Sequence, residues 1–422
     1  MLIRNGTFPD GRKRDVRITG DQIAEVGEQL TTEAREGTID ATGLRLIPGA
    51  IDAHVHFREP GASHKETWET GTKSAAAGGV TTIVDQPNTD PPTVTGAAFD
   101  SKEELAAAAI VDYGLNGGVT PEWNPDSLFD RPLFALGEVF LADSTGDMGI
   151  AVDRFAAAVE RAAAEDVVVT VHAEDADLFD AEARDRTDAA AWSAFRPAAA
   201  EVSAVETAID VAKSHETSLH IAHASTPAGI DAASDAGCSC EVTPHHLFLS
   251  TDDLDNLGTH GRMNPPLRSE SRRADVWDRL VDGTIDIVAT DHAPHTAEEK
   301  DASIWEAPSG VPGVETMLPL LLAAAERGEI SYKRIVEVTA SRPAALFDLP
   351  SKGRIEAGYD ADLVLVDPDD DRLIDAADLH TACTWSPFEG KVGVFPLMTM
   401  VRGKVVFEDG RFGGPNGQNV RR

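Results

Sequence analysis

The amino-acid sequence predicts an α/β fold in which a parallel (β/α)8 TIM barrel is flanked by a small β-sandwich built from both ends of the chain. Two observations carry this prediction. Eight apolar, strand-like runs alternate with alanine-rich segments of helical periodicity through the middle of the chain, and both ends contain short strand-like runs separated by turns. A chain of 422 residues is long enough for such a barrel and a second, smaller domain.

The two ends of the chain are predicted to form one domain together. Roughly the first 48 residues contain the runs LIRNGTF, DVRITG and QIAEVG, and roughly the last 70 contain ADLVLVDP and LMTMVRGKVVFEDGRF. Neither end alone has enough strands for a stable core. We therefore expect residues 1–48 and 348–422 to pair as one β-sandwich beside a barrel formed by residues 49–347.

The middle of the chain repeats a strand-then-helix pattern. Segments such as SHKETWETGTKSAAAGG and DRFAAAVERAAAED have helical periodicity and lie between apolar runs. The eight apolar runs cover residues 44–56, 80–88, 112–120, 133–141, 167–175, 218–226, 238–246 and 286–295. Eight such units favour a closed barrel of parallel strands, whose active site lies at the carboxyl ends of the strands.

The charge balance argues against some classes of partner. The chain has 72 acidic and 37 basic residues, which gives a formal net charge of −35. A field of this sign repels nucleic acids and anionic membranes, so we expect neither as a partner. The acidic residues are spread along an alanine-rich chain, which is typical of proteins from a high-salt cytoplasm, where salt screens the repulsion.

Cysteine content and hydropathy favour a soluble, cytoplasmic protein. Three cysteines do not make a disulfide framework in a chain of this length. We expect Cys238 and Cys240 to be two small residues on one strand face, because no second pair completes a structural zinc site. The amino terminus lacks the apolar segment of a signal peptide, and the sequence has no run of 18 apolar residues.

Polar and metal-competent side chains recur where the predicted strands end. His54 and His56 are two residues apart, so on a strand they face the same side, and Arg58 continues their row. The other residues of this kind are Asn88, Glu138, His172, His223, His245, His246, Asp291 and His295. Each alone has an ordinary structural explanation, but chance does not place them at the same end of successive barrel strands. Together they predict a metal site.

Histidines combined with carboxylates suit Zn²⁺, and this set has room for two ions. We expect His54, His56 and Asp291 to bind one ion and His172 and His223 to bind the other, with a carboxylate bridging the two. Two metals lower the pKa of bound water and produce a hydroxide nucleophile near neutral pH. Asp291 is the expected catalytic proton shuttle, which takes a proton at attack and delivers it to the leaving nitrogen.

Seven blocks of sequence, in chain order, resemble those of the dihydroorotase family of the amidohydrolase superfamily: HVHFREPG, QPNT, VHAED, HIAHAST, EVTPHHL, MNPPLRS and TDHAPHTAEEK. The match covers nearly the whole chain. The resemblance implies a metal-dependent hydrolase barrel that interconverts N-carbamoyl-L-aspartate and (S)-dihydroorotate in pyrimidine synthesis. It also implies the division of metal ligands given above, and a structural role for His220.

Groups that bind the substrate are predicted beside the metals. The chemistry of Arg58, Asn88 and His295 provides donors for a carboxylate or imide. With the resemblance, the expected substrate contacts are His56, Arg58, Asn88, Asn264 and His295, with Ser309 and Gly310 of the APSG segment as weaker candidates. No ligand position remains for His245 or His246, so a hydrogen bond at the rim or simple packing is expected for both.

The sequence departs from the family pattern at one position. Relatives commonly bridge their metals with a carboxylated lysine on the fourth strand, and in LGEVFLADSTG it is Glu138 that stands where this lysine would be. A carbamate and a glutamate both present two oxygens, but glutamate is shorter, so the metals or the strand must shift. We expect Glu138 to bridge in place of the carbamate, in preference to a site that has lost or weakened one metal. Asp143 is a less suitable substitute.

Two other functions are weighed against this one. A related cyclic amidase, an allantoinase or a hydantoinase, would share the fold and metals, but those rings lack the free α-carboxylate that calls for Arg58. A catalytically inactive scaffold would not need every histidine and Asp291, all of which are present. A small-molecule substrate is the expected partner, and a homodimer is the assembly considered.

Overall fold

The strands of the protein divide between one large sheet and a barrel. The computed structural model describes residues 1–121, 123, 125–141 and 148–422. Within these residues the chain forms seventeen strands: β1 (Leu2–Thr7), β2 (Lys13–Thr19), β3 (Gln22–Gly27), β4 (Thr38–Asp40), β5 (Arg45–Pro48), β6 (Ala50–Val55), β7 (Val80–Asp85), β8 (Asp112–Leu115), β9 (Leu136–Phe140), β10 (Val169–His172), β11 (Leu219–Ile221), β12 (Ser239–Val242), β13 (Ile287–Val288), β14 (Leu363–Leu373), β15 (Val392–Val401), β16 (Lys404–Glu408) and β17 (Arg411–Phe412).

Helices follow most of the barrel strands. They are α1 (Trp68–Ala77), α2 (Gly96–Ala106), α3 (Asp126–Phe129), α4 (Val152–Ala164), α5 (Ala191–Phe195), α6 (Ala198–His215), α7 (Pro227–Asp235), α8 (Pro244–Phe248), α9 (Leu254–Leu257), α10 (Glu270–Asp282), α11 (Ala297–Lys300), α12 (Met317–Glu326), α13 (Tyr332–Val336) and α14 (Arg342–Leu346). None of the described helices combines the length and apolar character that a bilayer crossing requires.

Strands from both ends of the chain pair in one sheet. Its nine strands run in the order β17-β16-β15-β14-β5-β1-β2-β3, with β4 beside β1. The two halves join where β5 and β14 pair in antiparallel register, with Pro48 opposite Leu363. Side chains of both halves, among them Ile3, Val16 and Met400, share one apolar core. The predicted pairing of the two ends is therefore confirmed. The strands predicted to form a sandwich are hydrogen-bonded to one another as one continuous sheet.

Eight parallel strands form the predicted barrel. β6, β7 and β8 make a three-stranded arc, and β9 to β13 make a five-stranded arc. Single bridges between Gly117 and Leu136 and between Val55 and His292 connect the two arcs on both sides. The barrel is thus closed, and the fold class predicted from the repeat is confirmed.

The first predicted strand, residues 44–56, divides between the two sheets. Its first part, β5, pairs with β14, and its second part, β6, pairs with β7. Between them lies Gly49, where a Cβ atom would come within 2.2 Å of the Thr81 side chain, so only glycine lets the chain pass this close to β7. An apolar run does not reveal such a division, because both of its parts are largely buried.

Buried charges tie the sheet to the barrel. Lys352 Nζ lies 2.8 Å from Asp112 Oδ2 on β8 and 2.6 Å from Asp362 Oδ2, just before β14. All three side chains are buried. Because an unpaired buried charge is costly, this contact favours one arrangement of the two units.

The net charge of −35 predicts that salt stabilises this fold. Lowering the ionic strength from about 1 M to about 0.01 M extends the screening length from about 3 Å to about 30 Å, so the acidic groups then repel one another. We expect the melting temperature and the activity to fall together on dialysis, and to return when salt is restored. Scanning calorimetry across a salt series measures the effect, with sucrose at equal osmolality as the unscreened control. An unchanged melting temperature would refute the prediction.

Candidate metal centre and active site

The two histidines at the carboxyl end of the first barrel strand face a carboxylate that follows the last barrel strand. His54 and His56 alternate with Val55, so both rings point into the mouth of the barrel. His56 Nε2 lies 2.9 Å from Asp291 Oδ1, and His54 Nε2 lies 3.6 Å from the same oxygen. All three side chains are buried, and their ligand atoms lie within 4.8 Å of one another. One metal ion can bind all three.

Glu138 on β9 brings the second pair of histidines together. His172 at the end of β10 places Nδ1 3.1 Å from Glu138 Oε1, and His223 after β11 places Nε2 2.5 Å from it. The two imidazole nitrogens are 3.0 Å apart. Glu138 Oε2 lies 3.4 Å from His54 Nε2. The carboxylate therefore lies between the two predicted ligand sets. Asp143, the weaker alternative, lies outside the described residues.

The imidazoles of the first set have their outer nitrogens bonded to protein partners. His54 Nδ1 lies 2.6 Å from Glu241 Oε1, and His56 Nδ1 lies 2.6 Å from Asn88 Oδ1. Because both partners are oxygens, each Nδ1 donates, and in the neutral imidazole each inner Nε2 carries a lone pair. His54 Nε2 is buried and has no hydrogen-bond partner among the described residues. Lone pairs that face carboxylate oxygens repel them unless a cation lies between, so this donor set fits a divalent metal ion.

Glu241, which the sequence did not single out, is a buried carboxylate that holds the predicted metal ligands in place. It lies on β12 and accepts hydrogen bonds from His54 Nδ1 at 2.6 Å and from His220 Nε2 at 3.1 Å. It also accepts a bond from the backbone N–H of His223 at 3.2 Å. Glu241 stands at the start of the EVTPHH block, but its burial, which distinguishes it from a surface glutamate, cannot be read from the residue type. The contact with His220 agrees with the structural role expected there.

Replacing Glu241 with glutamine should weaken the binding of a divalent metal ion about 10- to 100-fold while leaving the protein folded. The amide keeps the size of the side chain but cannot accept hydrogen bonds from His54, His220 and the backbone of His223 as the carboxylate does. Competition with a fluorescent chelator measures the affinity. Glu104→Gln, at an exposed position on α2, is the control. Equal affinities in the two variants would contradict the positioning role.

A second buried carboxylate, Glu174, holds His172. Its Oε2 lies 3.0 Å from His172 Nε2 and 3.0 Å from Arg196 Nε. His172 thereby donates from Nε2 and turns Nδ1 toward Glu138. Glu174 follows His172 by two residues in the VHAED block. The same spacing singled out His54 and His56, so the sequence did contain a signal for this residue.

Burial and neighbouring charges act on the pKa values of the centre in opposite directions. Burial disfavours the charged form of His54, but the carboxylates of Glu241 and Glu138 raise its pKa well above the usual range. Burial likewise opposes ionisation of Glu138, yet the imidazoles of His223 and His54 hold its pKa well below the usual range. The carboxylate partners of His172 raise its pKa to about 9 against the effect of burial. The centre therefore favours a bound positive charge.

Three site residues have positive φ angles, a backbone conformation that residues other than glycine rarely adopt. The φ angles are +64° at Arg58, +34° at His223 and +46° at Asp291. Each costs about 1–3 kcal/mol and persists only where the surrounding structure enforces it. All three side chains are buried at the mouth of the barrel. The strained backbone therefore occurs where these side chains meet to form the site.

One cavity next to the metal-compatible cluster contains most of the predicted substrate contacts. Its lining includes, from that prediction, His56, Arg58, Asn88, Asn264, Ser309 and Gly310. It also includes Glu138, His172, His223 and Asp291. The structure therefore brings together residues from six of the seven blocks named above, together with Glu138 and the APSG segment. Their roles in binding stay predictions.

His295 is next to Arg58 and, unlike Arg58, is not among the residues that line the cavity. Arg58 donates from Nε to the Pro294 carbonyl at 3.2 Å, and its terminal nitrogen lies 3.2 Å from His295 Nε2. Lys65 Nζ lies 3.0 Å from His295 Nδ1, and His295 Nε2 lies 3.0 Å from the Ser309 carbonyl. Because the ammonium can only donate, His295 accepts at Nδ1 and donates from Nε2 to Ser309. Both ring nitrogens thus have protein partners, and a direct substrate contact of His295 stays a prediction.

Two asparagines present their amide nitrogens to the cavity. Asn88 Oδ1 accepts the bond from His56 Nδ1, and Asn264 Oδ1 accepts a bond of 3.0 Å from Trp192 Nε1. With each amide oxygen occupied, the NH₂ group is the part of the side chain left for a ligand. Both residues are therefore placed to donate hydrogen bonds.

The remaining candidates have other surroundings. His246 is bonded to the Thr243 hydroxyl at 2.9 Å and lies 3.1 Å from the Pro265 carbonyl. His245 packs against it with the ring centroids 4.5 Å apart, and burial lowers the pKa of His245 to about 3. Cys240 is buried in β12 and Cys238 is half-buried just before it, and both are free thiols.

The described site is compatible with a divalent metal ion, and comparison with known proteins identifies the family of the chain. The model of the amidohydrolase family matches residues 45–406. The chain belongs to the amidohydrolase family. Relatives of this amidohydrolase include a dihydroorotase of Halobacterium salinarum, 63% identical over 422 residues, with 100% of this chain and 99% of the relative covered. A dihydroorotase of Methanosarcina mazei is 41% identical over 411 residues, with 93% and 90% covered.

A solved structure gives the same picture of the fold. The L-hydantoinase (dihydropyrimidinase) of Arthrobacter aurescens matches this amidohydrolase with a TM-score of 0.95 at 31% identity. The match covers 99% of this chain and 98% of the hydantoinase. The buried histidine and carboxylate clusters are those of an amidohydrolase metal centre.

Proposed function

We propose that this amidohydrolase is a dihydroorotase, which interconverts N-carbamoyl-L-aspartate and (S)-dihydroorotate in pyrimidine synthesis. Arg58 is the observation that carries the proposal, because its buried guanidinium lines the cavity beside the metal-compatible cluster. A fixed guanidinium pairs with a carboxylate in two parallel hydrogen bonds, and both substrates have a free α-carboxylate. The full-length similarity to dihydroorotases supports the same activity.

We assign two zinc ions to the centre. His54, His56 and Asp291 would hold one, and His172 and His223 would hold the other. Glu138, which contacts both groups of histidines, would bridge the two ions in place of a carboxylated lysine. Zinc bound there would lower the pKa of water to give a nucleophile near neutral pH and would polarise the amide carbonyl.

Asp291 is assigned the transfer of the proton. Burial opposes its ionisation, but the neighbouring imidazoles of His56 and His54 hold its pKa below the usual value, so the side chain is a carboxylate at neutral pH. Lining the cavity, it can accept a proton from the attacking water and return it to the ring nitrogen that leaves. In the direction of cyclisation the same oxygen takes the proton from the carbamoyl nitrogen.

The other cavity residues are assigned to substrate orientation. Arg58 would bind the carboxylate, and the amide groups of Asn88 and Asn264 would donate to ring or carboxylate oxygens. Gly310 has a φ of +131°, and a Cβ there would lie 2.6 Å from the Ala293 carbonyl oxygen. Only glycine lets this segment approach so closely, which keeps the backbone next to Ser309 at the cavity wall.

A cyclic amidase for a neutral ring is the second candidate, because the fold is so similar to that of a hydantoinase. Arg58 argues against it, since a neutral ring leaves a buried guanidinium without an anion. A scaffold without activity is disfavoured by the buried ligand set, because such a protein has no need of unpaired lone pairs beside carboxylates. Measurement of activity and metal content separates the three.

The decisive experiment is zinc analysis of the purified protein in high salt together with a dihydroorotate hydrolysis assay. The proposal expects two zinc ions per chain, and turnover of dihydroorotate at least about 100-fold faster than that of hydantoin or allantoin. One zinc ion with full activity would indicate a mononuclear enzyme and remove the bridging role of Glu138. A protein with neither zinc nor activity would indicate the scaffold.

Removal of the metal should abolish activity reversibly. Dialysis against a chelator is expected to remove zinc and turnover together and to lower the melting temperature, because a ligand bound only to the folded state stabilises it. Addition of zinc should restore both. Dialysis against chelator already saturated with zinc is the control. Activity that survives complete zinc removal would contradict the assignment.

A cytoplasmic location and a homodimer are also proposed. A formal charge of −35 suits a cytoplasm with high salt, where it is screened. Light scattering in high salt measures the mass, and a value of one chain would refute the dimer.

A further inference from the structure

One residue of the TDHAPHTAEEK block has no role in the site described so far. Lys300 is the last residue of α11, and its side chain is 0% exposed. No carboxylate within the described ranges pairs with its ammonium group. A fully buried lysine without an anion is costly, so its retention calls for a physical reason.

The ammonium group donates three hydrogen bonds, all to backbone carbonyls. Nζ lies 2.9 Å from the Arg262 carbonyl oxygen, 2.9 Å from that of Pro308 and 3.1 Å from that of Gly310. An ammonium group has three protons, so its hydrogen-bonding capacity is filled. Burial and the charges of Arg262 and Arg58 lower the pKa of Lys300 to about 7, whereas the three carbonyl dipoles favour the charged form.

These carbonyls belong to the two segments that carry Asn264 and Ser309 to the cavity. Arg262 precedes Asn264 by two residues, and Pro308 and Gly310 flank Ser309. The Arg262 carbonyl also accepts a bond of 3.0 Å from the backbone N–H of Gly310. Lys300 thus donates to both segments at the point where they meet.

We infer that Lys300 is a positioning residue that fixes the two substrate-binding segments, 262–264 and 308–310, against each other through its three backbone hydrogen bonds. The inference rests on the proposed function only for the identity of the substrate. The packing of the segments is a property of the protein alone, and it can be measured without turnover. Because Lys300 touches neither the metal ligands nor the cavity, its loss should affect substrate binding and leave metal content unchanged.

Lys300→Met, which keeps an unbranched side chain of nearly the same length and removes its donors, tests the inference. We expect native zinc content and a KM for dihydroorotate raised about 10- to 100-fold, with a smaller change in kcat. Hydrogen–deuterium exchange should accelerate in segments 262–264 and 308–310, including the Gly310 amide, and stay native elsewhere. Lys300→Arg, which restores donors in a larger group, should recover part of the loss.

Lys352→Met is the matched control, because it also removes a buried ammonium group but lies between the sheet and the barrel. It should lower the melting temperature without changing KM or exchange in the two segments. Native KM and native exchange in Lys300→Met would overturn the inference, as would an equal effect of Lys352→Met on the two segments. If the native protein does not hydrolyse dihydroorotate, the proposed function fails, while the exchange data still decide the role of Lys300.

A second variant tests the inference if Lys300→Met folds poorly. Lys300→Ala leaves a space that methylammonium can fill, so added methylammonium should slow exchange in both segments and lower KM. Ethanol, of similar size and without the charge, is the comparison. Rescue by methylammonium alone supports the inference, and no rescue by methylammonium contradicts it.

Discussion

Replacing Glu138 with alanine is expected to reduce zinc content to one ion or fewer per chain and to lower dihydroorotate turnover at least about 100-fold. The carboxylate contacts His172 and His223 through one oxygen and faces His54 with the other. Loss of a residue that merely supports a metal ligand costs about 10- to 100-fold, so loss of a ligand shared by two ions should cost more. Metal analysis and kcat/KM on the same preparation measure both effects.

Two further variants separate the functions of this carboxylate. Glu138→Gln keeps the shape but removes the charge, so it should lose metal nearly as completely as Glu138→Ala. Glu138→Lys introduces the side chain that relatives carboxylate, and activity that rises with added bicarbonate would show that the strand accepts either bridge. Glu160→Ala, exposed on α4, is the control. Full zinc content and activity in Glu138→Ala would exclude the bridge.

Replacing Arg58 with glutamine is expected to weaken the binding of dihydroorotate by about 2–5 kcal/mol, because a buried, paired charge loses its partner. This corresponds to a KM raised about 30-fold to several thousand-fold. Zinc content should stay native, since Arg58 is bonded to the Pro294 carbonyl and to no predicted metal ligand. Steady-state kinetics with both directions of the reaction measure the change.

The choice of substrates and variants makes this test specific. Arg58→Lys retains the charge without the planar fork and should bind dihydroorotate less well than the native protein. Any residual turnover of hydantoin should be unchanged in Arg58→Gln, because that ring has no carboxylate to lose. Arg272→Gln, exposed on α10, controls for the loss of one positive charge. Unchanged KM in Arg58→Gln would remove the main support for a dihydroorotase.

The barrel could be predicted because its signals are local. Each strand is a short apolar run, and each run ends in a polar side chain such as His172 or Asp291, so periodicity and position together give the class and the active face. The spacing of His54 and His56 on one strand gave their common direction. These predictions concern local backbone conformation and side-chain direction, which the residue types of a segment constrain strongly.

What could not be predicted depends on contacts between distant segments. Glu241 differs from a surface glutamate only through its burial against His54, 187 positions away in the sequence. The partners of His295, from Lys65 to Ser309, likewise come from separate segments. The division of residues 44–56 at Gly49 depends on how closely β7 passes, and a single sequence contains no record of that distance.

The bridge between Val55 and His292, which closes the barrel, also governs when the site can form. His56 and Asp291 are separated by 235 positions in the chain, so a ribosome releases the first long before the second. A chain that ends early lacks the final carboxylate and the strand pairing that holds it beside the first histidines. We therefore expect chains that end before Asp291 to be inactive, because the site is complete only once the last barrel strand has paired with the first.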